Sequence, residues 1–176
     1  RGLGCHQALH TPALKRGAAT LVVMTIEIGQ QAPDFTLKNQ HGEDVSLADL
    51  RGTPVALVFY PFAFSGICTG ELCELRDNLA VFSDAGVELL AVSCDHMFSL
   101  RAYAEQDGYQ FSLLSDFWPH GEVAKSYGIF NEDLGCAVRG TYLIDAEGVV
   151  RWKVENQIGE ARDLSGYREA IAELVG

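Results

Sequence analysis

Six apolar residues in a row, Val55-Ala-Leu-Val-Phe-Tyr60, constrain this chain more than any other stretch. The run is too short for a globular helix and rich in β-branched and aromatic types, so it predicts a strand buried on both faces. Pro61 ends it. After the aromatic loop Phe62-Ala-Phe64, Leu72, Leu75, Leu79 and Phe82 recur at helical spacing, which predicts a helix from Ser65 or Gly66 to about Ser83. Cys68 then falls in the first turn of a helix, at the carboxyl end of a buried strand.

That placement has chemical consequences. The unpaired N–H groups and positive dipole end of a helix N-terminus favour a thiolate over a thiol. A cysteine at a helix N-terminus can fall from a pKa of about 8.5 to roughly 3.5–7.5, which makes a nucleophile at neutral pH. Ser65, three residues earlier, suits the N-cap and can turn its hydroxyl toward the sulfur. Pro61 has no N–H, so it can wall the sulfur from water without competing for its hydrogen bonds.

The remaining pattern is mixed α/β. Gly86 breaks the chain before Glu88-Leu-Leu-Ala-Val-Ser93, a second buried strand, and strand–helix–strand implies a right-handed crossover in a parallel sheet. Residues 99 to 107 read as a helix with Leu100, Tyr103 and Ala104 on one face, Phe111 to Ser115 as extended, and Gly121 to Tyr127 as a brief helix. Asn39-Gln-His-Gly-Glu43 signals a turn within a hairpin spanning Phe35 to Leu50, with His41 a solvated loop residue. Ala146-Glu-Gly148 joins a second hairpin, from Thr141–Asp145 to Val149–Val154. The latter alternates Val150, Trp152 and Val154 with Arg151 and Lys153, so it belongs near a sheet edge. Tyr167, Ile171 and Leu174 mark a C-terminal helix from about Leu164. The sum is a central mixed sheet with helices on both faces.

At 176 residues and 48% hydrophobic content, one globular domain with a sizeable core is expected. The net charge of −11, from 24 acidic and 13 basic residues, argues against nucleic acid and anionic membrane partners. No apolar run approaches the roughly 18 residues needed to span a bilayer. Five cysteines without regular short spacing fit a reducing, cytoplasmic compartment better than a secreted disulfide framework. They also lack the paired spacing of a zinc site, so neither metal nor other cofactor is expected. Residues 1 to 23 contain no acid, and Met24 opens a different composition. They read as a disordered upstream extension carrying Cys5, with a targeting peptide as the alternative, and 24 to 176 as the domain.

Pro61-x-x-x-Ser65-x-x-Cys68 resembles the P-x-x-x-[TS]-x-x-C signature of peroxiredoxins. The resemblance runs from Ile28 to Val175 and includes Ala32-Pro-Asp-Phe-Thr-Leu37, Ser115-Asp-Phe-Trp-Pro-His-Gly121 and Arg139-Gly-Thr-Tyr-Leu-Ile-Asp145. Together these segments are similar to the alkyl hydroperoxide reductase E-like, one-cysteine peroxiredoxins of actinobacteria. The resemblance implies a thioredoxin-like fold and a thiol peroxidase that reduces hydrogen peroxide and organic hydroperoxides through a sulfenic acid. It makes Cys68 the nucleophile, with Pro61, Ser65 and Arg139 as its catalytic partners and Arg139 preceding a buried strand. It also implies a homodimer or larger homo-oligomer. Glu71 either orients Arg139 or is a solvated carboxylate complementing the helix dipole.

Cys73 departs from that pattern, because Cys68-x4-Cys73 is the resolving spacing of Q-type (bacterioferritin comigratory) peroxiredoxins. Five helical residues rise roughly 7.5 Å, which puts the two Cα atoms about 8–9 Å apart, beyond the roughly 7 Å limit for a disulfide. If Cys73 resolves, the first turns of the helix must unwind, and thioredoxin is the expected reductant. Otherwise an external thiol, such as mycothiol with mycoredoxin, recycles the sulfenic acid. Phe62, Phe64, Phe117 and Trp118 either line a peroxide pocket or are plain core, and His120 reads as a satisfied structural histidine. Cys94, at a strand end, and Cys136, beside a loop glycine, read as buried or unreactive thiols. Two other functions remain open. A peroxide-sensing redox switch shares the site without rapid turnover. A thioredoxin-type dithiol oxidoreductase needs C-x-x-C, where this chain has Cys68-Thr-Gly-Glu71.

Overall fold

The computed structural model describes residues 25–176, so the expectations for 1–23, Cys5 included, lie outside the described residues. Seven strands form one mixed sheet: β1 (Thr36–Asn39), β2 (Asp44–Ser46), β3 (Val55–Phe59), β4 (Glu88–Ser93), β5 (Ser112–Ser115), β8 (Arg139–Ile144) and β9 (Val150–Asn156), in the spatial order β2-β1-β5-β4-β3-β8-β9. β3, β4 and β5 run parallel, and the pairs β5–β1, β1–β2, β3–β8 and β8–β9 are antiparallel. A small hairpin, β6 (Phe130–Asn131) and β7 (Cys136–Ala137), stands apart. Cys136 is thus a buried strand residue and not the loop residue expected from its glycine neighbour.

The apolar run at Val55 explains the core. Its residues alternate between two clusters, Ala56, Val58 and Tyr60 facing one side and Val55, Leu57 and Phe59 the other. The first side is covered by α1 (Gly66–Asp77), α2 (Ala80–Ser83), α3 (Met97–Asp107) and α5 (Ser165–Val175), through residues such as Leu72, Phe82, Leu100 and Ile171. The second is covered by α4 (Glu122–Ser126), through Val123 and Ala124, with Phe35 and Leu47. Helices on both faces of a mixed sheet give the thioredoxin-like architecture. The last strand, β9, is an edge, as its alternation requires.

Two boundaries differ from the sequence reading. The single helix expected from 65 to 83 is broken after Asp77, because Asn78 leaves helical geometry at φ −111° and ψ 18°. Its side-chain amide donates to Glu74 O at 2.9 Å and competes with the helical ladder for that carbonyl. Arg139 opens β8 instead of preceding it, since its strand pairing with Asn156 extends the ladder two residues beyond Thr141. That extension positions the site. β8 is antiparallel to β3, with Phe59 opposite Gly140, so the start of β8 lies at the sheet end where β3 stops and α1 begins.

Candidate active site

The loop from Tyr60 to Ser65 turns the chain from β3 into α1. Pro61 in it is buried, and Phe64 holds φ +63°, a left-handed conformation that non-glycine residues seldom adopt. Ser65 is the N-cap at φ −73° and ψ 142°, and its carbonyl accepts the Thr69 N–H at 2.9 Å. Its hydroxyl, however, makes no capping hydrogen bond, contrary to the ordinary behaviour of a serine at this position. The N–H groups of Gly66, Ile67 and Cys68 precede the first intrahelical bond, so they are free to face an anion or an oxygen. Cys68 is the third helical residue and fully buried against Leu72, Tyr60 and Tyr103.

Three charged side chains from distant parts of the chain meet at this end of the sheet. Glu71, one turn along α1, accepts from Arg139 Nη1 through Oε2, and Arg139 Nε donates to Ile158 O at 2.8 Å. Arg162 surrounds the same carboxylate: its backbone N–H donates to Glu71 Oε1 at 2.6 Å, its Nε to Oε1 at 3.1 Å and its Nη2 to Oε2 at 3.0 Å. Its Nη1 reaches Phe59 O at 2.8 Å and Gly140 O at 2.9 Å, the facing pair of the β3–β8 ladder. All three residues are buried, with side-chain exposures of 1–3%. Glu71 is therefore no solvated carboxylate. Two guanidinium groups against one carboxylate leave the cluster a net positive charge inside the protein, a costly state unless an anion joins it.

A family model, the AhpC/TSA family, matches residues 28–153. The chain belongs to the AhpC/TSA family. It is 45% identical over 150 residues to alkyl hydroperoxide reductase E of Mycobacterium tuberculosis, covering 85% of this chain and 98% of that one. A chloroplastic peroxiredoxin Q of Triticum aestivum is 37% identical over 166 residues, 93% of this chain and 76% of the relative. Among solved structures, Enterococcus faecalis AhpC superposes with a TM-score of 0.78 at 26% identity, covering 85% of this chain and 92% of that one. As a peroxiredoxin, the protein is a thiol-dependent peroxidase.

Cys73 lies on the same unbroken α1 as Cys68, half-buried, with Sγ 3.8 Å from the Tyr109 hydroxyl. Thr69, between the two cysteines, hydrogen-bonds the Tyr103 hydroxyl of α3 at 2.9 Å. Burial pushes the Cys94 thiol up to about 12 and the Cys136 thiol up to about 11, so both stay protonated at neutral pH. His120 is satisfied through Nε2, which lies 2.7 Å from Gly135 O and donates to it. Phe62, Phe64, Phe117 and Trp118 are exposed, Trp118 by 81%, so none is plain core. Phe64 packs its ring on Tyr103, 4.8 Å between centroids, beside the cysteine helix.

Arg162 is the residue that sequence reasoning missed. It sits in Gly159-Glu-Ala-Arg-Asp163, a polar segment with no periodicity and no motif spacing to Cys68. Only the return of the chain after β9 brings it beneath Glu71. The Tyr60 hydroxyl is another feature without a signal in the sequence: it is buried and has no hydrogen-bond partner among the described residues.

Proposed function

We propose that Cys68 is the peroxidatic nucleophile and that Pro61, Ser65 and Arg139 serve it. The observation that supports this most is the buried thiol in the first turn of α1, at the sheet end where Glu71, Arg139 and Arg162 sum to one positive charge. A thiolate is the anion such a site accommodates. It attacks the terminal oxygen of ROOH: an S–O bond forms, the O–O bond breaks, and the alkoxide leaves and takes a proton to become ROH. Charge moves from sulfur to the departing oxygen, so fixed donors must hold the peroxide in line and stabilise that oxygen. The uncapped Ser65 hydroxyl, the free N–H groups of the first turn and Arg139 Nη2, which makes no hydrogen bond among the described residues, are suited to it. Pro61 limits water around the sulfur.

The product sulfenic acid is the first rung of cysteine oxidation and must be recycled by a thiol. A thiol displaces the hydroxyl as water and forms a disulfide, which a reductant then opens with two electrons. Cys73 is our candidate for that thiol, with thioredoxin as reductant. It requires α1 to open between the two cysteines, and the start of a helix is among the lowest-stability parts of a fold. Mycothiol with mycoredoxin is the external alternative. Hydrogen peroxide and organic hydroperoxides are the proposed substrates, the exposed Phe62, Phe64 and Ile67 beside Cys68 giving an apolar approach for the latter. We assign the protein to the cytoplasm and to a homodimer or larger assembly, for which the exposed apolar residues, Phe98, Phe117 and Trp118 among them, provide a surface. No helix among the described residues is long and apolar enough to cross a membrane.

The decisive test is intact mass spectrometry with peptide mapping after one equivalent of peroxide, on the wild type, Cys68→Ser and Cys73→Ser. Cys68→Ser abolishes peroxide consumption while keeping the fold; retained turnover would remove Cys68 from the mechanism. A Cys68–Cys73 disulfide in the wild type and a trapped sulfenic acid in Cys73→Ser identify a two-cysteine enzyme. Sulfenic acid in both identifies an external thiol.

A further inference from the structure

The loop that delivers Cys68 is fastened to the carboxyl end of β4 at two points. Tyr60 N–H donates to Val92 O at 3.0 Å, continuing the β3–β4 ladder, and Ala63 N–H donates to Asp95 Oδ2 at 2.8 Å. Asp95 is itself braced. Its Oδ2 also accepts the Ser93 hydroxyl at 2.8 Å, and its carbonyl accepts the Ser115 hydroxyl of β5 at 2.7 Å. Asp95 is therefore held at the ends of two central strands, its carboxylate by β4 and its backbone by β5. Pro61 has no N–H to tether, and Phe64 is held in a left-handed conformation that costs a non-glycine residue energy. The strained residue lies between the tethered Ala63 and the N-cap Ser65.

We propose that Asp95 is a positioning residue for peroxide reduction. Its hydrogen bond to Ala63 maintains the Phe64 conformation and so sets Ser65 and the first turn of α1 against Arg139. The inference rests on the reading of Cys68 as nucleophile. In-line displacement on a peroxide demands donors placed within a fraction of an ångström, and a shift of about 1 Å costs on the order of a hundredfold in rate. Alkylation of the same thiolate by iodoacetamide uses no such alignment.

The test compares peroxide oxidation of Cys68 with its alkylation in Asp95→Ala, Asp95→Asn and Asp95→Glu. Removing the acceptor in Asp95→Ala slows oxidation at least ~10-fold and changes alkylation less than ~2-fold. Asp95→Asn keeps an oxygen where Ala63 N–H points and retains much of the rate. Asp95→Glu keeps the charge but displaces the oxygen by about 1.5 Å, one carbon–carbon bond, and is slow. Three outcomes overturn the proposal: Asp95→Ala oxidising like the wild type, oxidation and alkylation falling together, or Asp95→Glu outpacing Asp95→Asn, which makes charge and not placement the cause. Should Asp95→Ala not fold, the order of the Asn and Glu variants decides the matter. Wild-type oxidation mapped to a residue other than Cys68 overturns the site reading and this proposal together, whereas equal rates across the series, with oxidation at Cys68, overturn this proposal alone.

Discussion

Glu71 Oε1 accepts both the backbone N–H and the side-chain Nε of Arg162, at 2.6 and 3.1 Å, so one carboxylate oxygen fixes the main chain and the head group of the same residue. The other oxygen holds Arg139 and Arg162 together. A helix residue thus fastens the segment after β9 to the helix that carries Cys68.

Breaking a buried ion cluster by removing one member leaves uncompensated charge and typically costs about 3–5 kcal/mol. Glu71→Gln, which leaves two buried guanidinium groups facing each other, is expected to destabilise the fold by that amount in urea unfolding. Arg162→Met should cost less, since it removes the excess charge along with its hydrogen bonds. An unperturbed Glu71→Gln midpoint would show that the cluster is solvated in solution.

Arg139→Lys tests geometry at constant charge. A single ammonium lacks the planar fork that lets Arg139 reach Ile158 O and Glu71 while keeping Nη2 free. Stopped-flow oxidation of Cys68 is expected to slow at least ~10-fold, the loss of one placed donor in the transition state. An unchanged rate would remove Arg139 from the site.

The shifted thiols predict an order of reactivity. Cys94 and Cys136, held near 12 and 11 by burial, carry almost no thiolate at pH 8. Peptide mapping after limited alkylation of the native protein should find both unmodified until the fold is lost. Modification of either before unfolding would contradict their burial.

The Thr69–Tyr103 hydrogen bond ties the turn between the two α1 cysteines to α3. Its loss in Tyr103→Phe is expected to cost about 1 kcal/mol, a roughly 5-fold faster amide exchange in α1 around Gly70 to Cys73. If Cys73 resolves, the same variant forms its disulfide faster. Exchange at the wild-type rate would show that this contact does not limit helix opening.

Asp145, at the β8–β9 turn, is held below the ordinary carboxylate range. Burial alone would raise it, but the Val149 N–H, at 2.8 Å, and Arg151 outweigh that effect. A depressed folded value means stability that is present above the unfolded pKa of about 3.9 and lost as pH falls through the folded one. Asp145→Asn should therefore be about 1 kcal/mol less stable at pH 7, with the gap closing in strong acid. A gap that is constant with pH would exclude the ionised carboxylate as its source.

Much of the fold was legible because it depends on local chemistry. The runs Val55–Tyr60 and Leu89–Val92 are apolar throughout, Ala146-Glu-Gly148 can only turn, and Leu72 and Leu75 recur at helical spacing. The break at Asn78 was not legible, since it rests on one side chain bonding its own helix. Nor was Arg162, because its burial comes from the path of the chain after β9. Glu71 was ambiguous for the same reason: a carboxylate near the start of a helix is ordinary, and only two arginines arriving from other strands and loops make it central.

Glu71 is 68 residues from Arg139 and 91 from Arg162 along the chain. During translation at about 5–20 residues per second, the helix with its thiol therefore emerges roughly 5–20 s before its last cationic partner. Throughout that interval the nascent protein carries Glu71 without the arginine that completes its buried cluster. A product of synthesis stalled before Arg162 therefore holds the Glu71 carboxylate with at most one of its two guanidinium partners.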